Sequence, residues 1–143
     1  MYKRQILITG ANAGIGFEAA KALVARGARV ILGCRDAEKG GQAVDRIRAH
    51  CPSADLLLLD LDLADLDSVR AVCATLVDEP AIDVLINNAG VMATPKGQTA
   101  QGFELQFGIN HLGHFALTAI LWPWLMKSAA PRVVTVSLSL IHI

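Results

Sequence analysis

The chain has 143 residues, 53% of them hydrophobic, and its 13 Lys plus Arg balance 13 Asp plus Glu. That length suits one domain with a sizeable core, and the hydrophobic share excludes wholesale disorder. With zero formal charge and no Lys/Arg cluster, there is no electrostatic footprint for nucleic acid or an anionic membrane surface.

Ile6-Leu7-Ile8 predicts a first strand, followed by glycines and a helix over Phe17 to Arg26 with Ala19, Ala20, Leu23 and Val24 as its apolar stripe. Gly27 is placed to stop that helix. Residues 29–34 (RVILGC) predict a second strand. Asp36 can cap a helix running to about His50, with Pro52 just beyond. Residues 55–61 predict a third strand, whose leucine run Leu56 to Leu59 suits burial on both faces. Asp65 or Asp67 then caps a helix with Val69, Val72, Cys73, Leu76 and Val77 on one side. Residues 83–87 predict a fourth strand and 91–100 a loop. A long helix is expected over 101–127, kinked at Pro123, and residues 132–137 predict a fifth strand.

Strands alternating with helices imply an α/β fold, a parallel sheet with right-handed crossovers. Ligands of such sheets bind at the carboxyl ends of the strands. The three cysteines, Cys34, Cys51 and Cys73, are odd in number and form no CxxC, which points away from a disulfide framework or a zinc site and towards a reducing cytoplasm. The start of the chain lacks the long apolar run of a signal peptide. The most apolar later stretch, 107–126, holds Asn110, His111, His114 and Pro123, residues that a lipid-spanning helix rarely carries. A cytoplasmic chain with no membrane span is predicted.

The loop after strand 1 reads Thr9-Gly10-Ala11-Asn12-Ala13-Gly14-Ile15-Gly16. Gly10 permits a tight turn, Gly14 a close backbone approach to a pyrophosphate, and Gly16 close helix packing. The helix N-terminus then offers free N–H groups to phosphates. In NAD-binding folds an acidic residue near the end of strand 2 takes the ribose hydroxyls. Here Cys34 stands at that position and Arg35 follows. This pattern suits a 2′-phosphate and predicts NADP rather than NAD, unless Arg35 is a solvated loop residue. Asp62 is placed either to accept from an adenine amino group or to cap the loop that Asp60, Asp65 and Asp67 crowd.

Thr9-Gly10-x-x-x-Gly14-Ile15-Gly16, then Asn87-Asn88-Ala89-Gly90, then Asn110, resembles the short-chain dehydrogenase/reductase family over residues 5–137. The stretches GANAGIGFEAAKALVARGARVILGCRDAEKG and FGINHLGHFALT resemble its retinol-dehydrogenase-like branch. The resemblance implies that Gly10, Asn12, Ala13, Gly14, Ile15 and Gly16 line the pyrophosphate and adenosine ribose. It also implies that Arg35 meets the 2′-phosphate, that Asp62 with Leu63 borders the adenine, and that Asn88, Ala89 and Gly90 line the cofactor. Asn87 would help hold the central strands together. Asn110 would be the asparagine of the family's Asn-Ser-Tyr-Lys catalytic group, its side chain or carbonyl holding a water of the proton relay.

The pattern departs from the family after strand 5. Ser137 matches the first of two serines, but Leu138 stands where the catalytic one belongs. The Tyr-x-x-x-Lys is absent, and the only tyrosine is Tyr2, expected at the amino end of the sheet. One codon reading of residues 138–143, CTG TCT CTT ATA CAC ATC, matches a transposase end sequence used to tag DNA fragments. Residues 1–137 are therefore expected to be a C-terminally truncated, doubly wound Rossmann domain with the strand order 3-2-1-4-5 that the resemblance implies, and 138–143 a non-native tail, with a real hydrophobic strand end as the alternative.

His111 and His114 share a helix face, but no further ligand is placed to make a metal site. Packing near the cofactor or contacts between helices suit them better. Trp122 and Trp124 are expected to pack at the helix end. Phe103, Phe107 and Phe115 are expected in the core or a subunit interface, and the family's long helix implies a homo-oligomer. The expected parent activity is NADP-dependent hydride transfer with a small carbonyl or alcohol substrate. The alternatives are a non-catalytic dinucleotide-binding module and a non-functional fragment.

Overall fold

The computed structural model describes residues 3–138. Its strands are β1 (Gln5–Thr9), β2 (Arg29–Cys34), β3 (Leu56–Asp60), β4 (Val84–Asn87) and β5 (Arg132–Thr135). They form one five-stranded parallel sheet of order β3-β2-β1-β4-β5, as the sequence implied. Successive residues of β1 serve opposite faces, which is why its run is apolar throughout. Ile6 and Ile8 pack with Val30 and Leu32 beneath α1 (Gly14–Ala25) and α2 (Ala37–His50). Leu7 packs with Ile31 and Leu85 beneath α3 (Leu66–Thr75) and α5 (His114–Leu125). The sheet is therefore doubly wound.

Capping settles the open helix starts. Asp36 accepts from Lys39 N at 3.0 Å and caps α2. Asp65, not Asp67, caps α3, accepting from Asp67 N at 2.9 Å. Helix α1 starts at Gly14, three residues earlier than the pattern suggested, and its N-cap, Ala13, offers no side-chain acceptor.

Several expectations need correction. Val77 lies beyond the end of α3 and is exposed, because Leu76 already turns out of helical geometry. Leu56, Leu57 and Leu58 are only partly buried, because β3 is an edge strand with a neighbour on one side. The long helix does not begin at residue 101. Residues 101–104 instead form a turn, with Gln98 bridging antiparallel to Glu104. Helix then starts at α4 (Leu105–Phe107), where the Glu104 carboxylate accepts from Gln106 N and Phe107 N at 2.9 and 2.8 Å. A π-helical segment, Gly108–Gly113, joins α4 to α5. Pro123 sits inside α5, which continues to Leu125, so the departure from α geometry lies upstream of the proline. Phe103, Phe107 and Phe115 are exposed and Trp122 is half exposed, while Trp124 packs against the core. The expectations for Tyr2 and residues 139–143 fall outside the described residues. Among the described residues no helix is long and apolar enough to cross a membrane.

Candidate cofactor and proton-relay cleft

An open cleft of about 880 Å³ runs across the carboxyl ends of all five strands. Gly10, Asn12, Ala13, Gly14, Ile15, Arg35, Asp62, Leu63, Asn88, Ala89, Gly90 and Asn110 all line it. Gly16 does not, because it lies underneath. A Cβ built on Gly16 would stand 2.5 Å from Asn88 Nδ2 and 2.5 Å from the Gly10 carbonyl oxygen, so this glycine lets α1 press on the loop below it.

The glycine loop has the backbone its sequence suggests. Gly10 has φ +65° and Gly14 φ +54°, both in the left-handed region that glycine tolerates. Nothing lies within 4 Å of the place a Gly14 side chain would occupy. That gap opens on the cleft and on the uncapped amino end of α1. A phosphate anion fits such a cradle, since the backbone N–H groups there have no side-chain acceptor.

At the end of β2 the Cys34 side chain points into the core and is 2% exposed. Burial pushes its thiol up to about 11, so it carries no charge at neutral pH. Arg35 is exposed at the cleft wall and has no ion-pair or hydrogen-bond partner among the described residues. The adjacent Asp36 carboxylate is engaged in capping α2, and the backbone amide of Lys39 holds it below the usual carboxylate range. Asp62 closes its own turn, accepting from Ala64 N at 2.8 Å, and still lines the cleft. Leu63 is buried beside Gly113, whose Cβ would meet the Leu63 carbonyl oxygen at 2.5 Å.

The two adjacent asparagines divide the work differently from the expectation. Asn88, rather than Asn87, ties β4 to β1. Its Nδ2 donates to Thr9 O at 2.9 Å, and its backbone N–H donates to Thr9 Oγ1 at 2.9 Å. Asn87 is the last residue of β4, and its side chain turns the other way, donating to Thr118 Oγ1 on α5 at 3.1 Å. Asn110 uses both ends of its carboxamide on one residue, accepting from Val91 N and donating to Val91 O, each at 2.8 Å. The Asn110 carbonyl oxygen lies 3.0 Å from His114 Nδ1.

Residue-level reasoning missed Thr9 and underrated His114. The Thr9 hydroxyl accepts from Asn88 N and Ala89 N, each at 2.9 Å, and sits 2.8 Å from His114 Nε2. A hydroxyl at the buried end of a central strand was the available signal, because it must find partners. Val91, Met92, Gln106 and Ser137 also line the cleft. Among the described residues no group of three His, Cys, Asp or Glu side chains could hold a metal ion.

A family profile described as short chain dehydrogenase matches residues 4–140. Retinol dehydrogenase 11 of Homo sapiens is 50% identical over 138 residues, which are 96% of this chain and 43% of that protein. Retinol dehydrogenase 12 of Mus musculus is 49% identical over 139 residues, again 96% of this chain and 44% of the relative. A short chain dehydrogenase from Shigella flexneri, solved in complex with NADP, is 32% identical with a TM-score of 0.77, over 94% of this chain and 59% of that one. The chain thus spans under half the length of the retinol dehydrogenases it matches. With the profile covering nearly every residue, and the sheet order and cleft as described, this chain belongs to the short chain dehydrogenase family.

Proposed function

We propose that the chain is the cofactor-binding half of an NADP-dependent oxidoreductase that moves hydride between the nicotinamide and a carbonyl or alcohol carbon. The observation that carries the cofactor choice is Arg35. Its guanidinium has no partner among the described residues at the cleft wall, and no carboxylate occupies the end of β2. A free guanidinium suits a dianionic 2′-phosphate, whereas an acidic residue there would suit the bare ribose of NAD. The NADP complex of the Shigella flexneri relative supports the same choice.

When bound, the nicotinamide supplies or accepts the hydride. The chain's own residues bind and orient. Gly14 and the α1 amides hold the pyrophosphate, and Asn88, Ala89 and Gly90 form the wall opposite. Asn110 cannot offer its side chain, which Val91 occupies, so its carbonyl is the group left to hold a water of the proton relay. A carbonyl oxygen has two lone pairs, and His114 takes one. The family's proton-donating Tyr-x-x-x-Lys is not in this sequence. The names of the retinol dehydrogenases support an apolar alcohol or aldehyde as the substrate class.

Two further parts belong to this proposal. The three free cysteines suit a cytoplasmic protein. The exposed Phe107, Phe115, Trp122 and Met126 suit self-association through the α4–α5 face.

The test is a titration of the chain with NADP and with NAD, followed by tryptophan fluorescence or calorimetry. The expected result is tighter binding of NADP by about tenfold or more. Equal affinities, or a preference for NAD, would overturn the assignment.

A further inference from the structure

His114 is the first residue of α5, and only 5% of it is exposed. Both of its ring nitrogens have partners, and the partners belong to different parts of the chain. Nδ1 lies 3.0 Å from the Asn110 carbonyl oxygen, and Nε2 lies 2.8 Å from Thr9 Oγ1, which is 105 residues away. Donor counting fixes the protons. A carbonyl oxygen only accepts, so Nδ1 must carry the hydrogen. Thr9 Oγ1 already accepts two backbone N–H groups, from Asn88 and Ala89, so its own proton is the one left to donate, and Nε2 is the acceptor.

The π-helical segment makes this possible. At the segment's end the His114 backbone N–H bonds to the His111 carbonyl, not to that of Asn110. The Asn110 carbonyl is thereby released from the usual i+4 amide and met by the His114 ring instead.

We propose that His114 is a positioning residue: as a neutral, Nδ1-protonated imidazole it locks the Asn110 carbonyl to the Thr9 hydroxyl. The lock holds the end of β1, the Asn88–Ala89 loop and the asparagine turn as one rigid floor of the cleft. The chain of bonds runs Ala89 and Asn88 N–H to Thr9 Oγ1, Thr9 O–H to His114 Nε2, and His114 Nδ1–H to Asn110 O. Every polar atom in it is satisfied, and such a network specifies one geometry. An apolar residue of similar size would leave the Thr9 proton without an acceptor and the Asn110 carbonyl without its donor. Two groups proposed for function, the cofactor loop and the water-holding carbonyl, would then move independently. That consequence for cofactor binding rests on the NADP reading, but the lock itself does not.

The test uses the whole chain and three readouts. Nitrogen-15 NMR of the labelled imidazole should show a neutral ring protonated at Nδ1 near neutral pH; an Nε2-protonated or charged ring would overturn the proposal. In His114→Leu the Asn88 and Ala89 amides should exchange with solvent about tenfold faster, and His114→Gln, which can still donate and accept, should restore protection. Unchanged exchange in His114→Leu would overturn it. Should His114→Leu fail to fold, Thr9→Val replaces it: the Nε2 resonance should shift as its hydrogen bond is lost, and an unmoved resonance counts against the lock. The third readout is the NADP dissociation constant, expected to rise about tenfold in His114→Leu and to recover in His114→Gln. If the unmodified chain fails to bind NADP at all, the cofactor reading falls, while the tautomer and exchange results still decide the role of His114.

Discussion

Replacing Gly16 by alanine tests the packing of the glycine loop most directly. The added Cβ would sit 2.5 Å from Asn88 Nδ2, 2.5 Å from the Gly10 carbonyl oxygen and 3.1 Å from the Gly10 carbonyl carbon. Since real Cβ contacts essentially never fall below 3.0 Å, both near neighbours must retreat by at least the 0.5 Å difference. One of them is backbone, so no side-chain rotation relieves it. The other, Asn88 Nδ2, holds Thr9 O at 2.9 Å, and its retreat sacrifices that bond. The lost hydrogen bond costs about 0.5–1.5 kcal/mol and the overpacking about 1–3 kcal/mol. The gain in helix propensity returns about 1 kcal/mol. The net loss is on the order of 0.5–3.5 kcal/mol, which lowers Tm by roughly 2–12 °C for a domain of this size. Circular dichroism melts would show it, and an NADP titration should show weaker binding. Gly41→Ala is the control: it lies in α2 with nothing within 4 Å of its would-be Cβ, so its Tm should hold or rise slightly. A Gly16→Ala protein that melts within about 1 °C of the parent and binds NADP unchanged would refute the reasoning.

Arg35→Ala should weaken NADP binding about ten- to a hundredfold while NAD binding and Tm stay put, because Arg35 has no partner to lose among the described residues; equal weakening of both cofactors would contradict this. Gly14→Val should abolish NADP binding in a still folded chain. Its side chain would fill the open cradle, and φ +54° is strained for a β-branched residue, so an unchanged titration would place the ligand elsewhere. Burial holds His114 below its ordinary 6.5, with the Asn110 carbonyl opposing. The unfolded chain therefore takes up this proton first, and stability, full above about pH 6.5, is lost as the pH falls below it. The fall in denaturant midpoint below about pH 6.5 should be shallower in His114→Gln than in the parent, and identical slopes would show that His114 does not titrate on unfolding. The chain itself should show no NADPH oxidation with aldehydes or ketones, because Asn110 and Ser137 can position water but neither is a good acid. Turnover that survives Tyr2→Phe would reveal an acid outside this account.

Much of the fold was legible in the sequence because parallel strands buried on both faces read as short apolar runs. The runs of β1, β2 and β4 and the glycine loop follow from that pattern, whereas the order 3-2-1-4-5 came from the family resemblance, because alternation and right-handed crossovers leave more than one order open. The edge position of β3 was part of that order, yet its leucine run still read as fully buried, since side-chain type does not report a missing neighbour. The candidate site was legible where chemistry is local: a glycine that must take positive φ, or an arginine standing where a carboxylate would be.

What the tertiary structure alone decided depends on partners far away in sequence. Which of the twin asparagines ties β4 to β1 follows from register: Asn87 ends the strand facing α5, and Asn88 turns back to Thr9. The π-helical segment has no signature in hydrophobic periodicity. Its Gly113 is pressed against Leu63, and the extra residue in the turn frees the Asn110 carbonyl. The histidine that meets this carbonyl looked like packing, because its other partner, Thr9, lies across the whole fold. Local propensity can place an element, but a hydrogen bond between residues 9 and 114 exists only once the sheet and α5 are assembled.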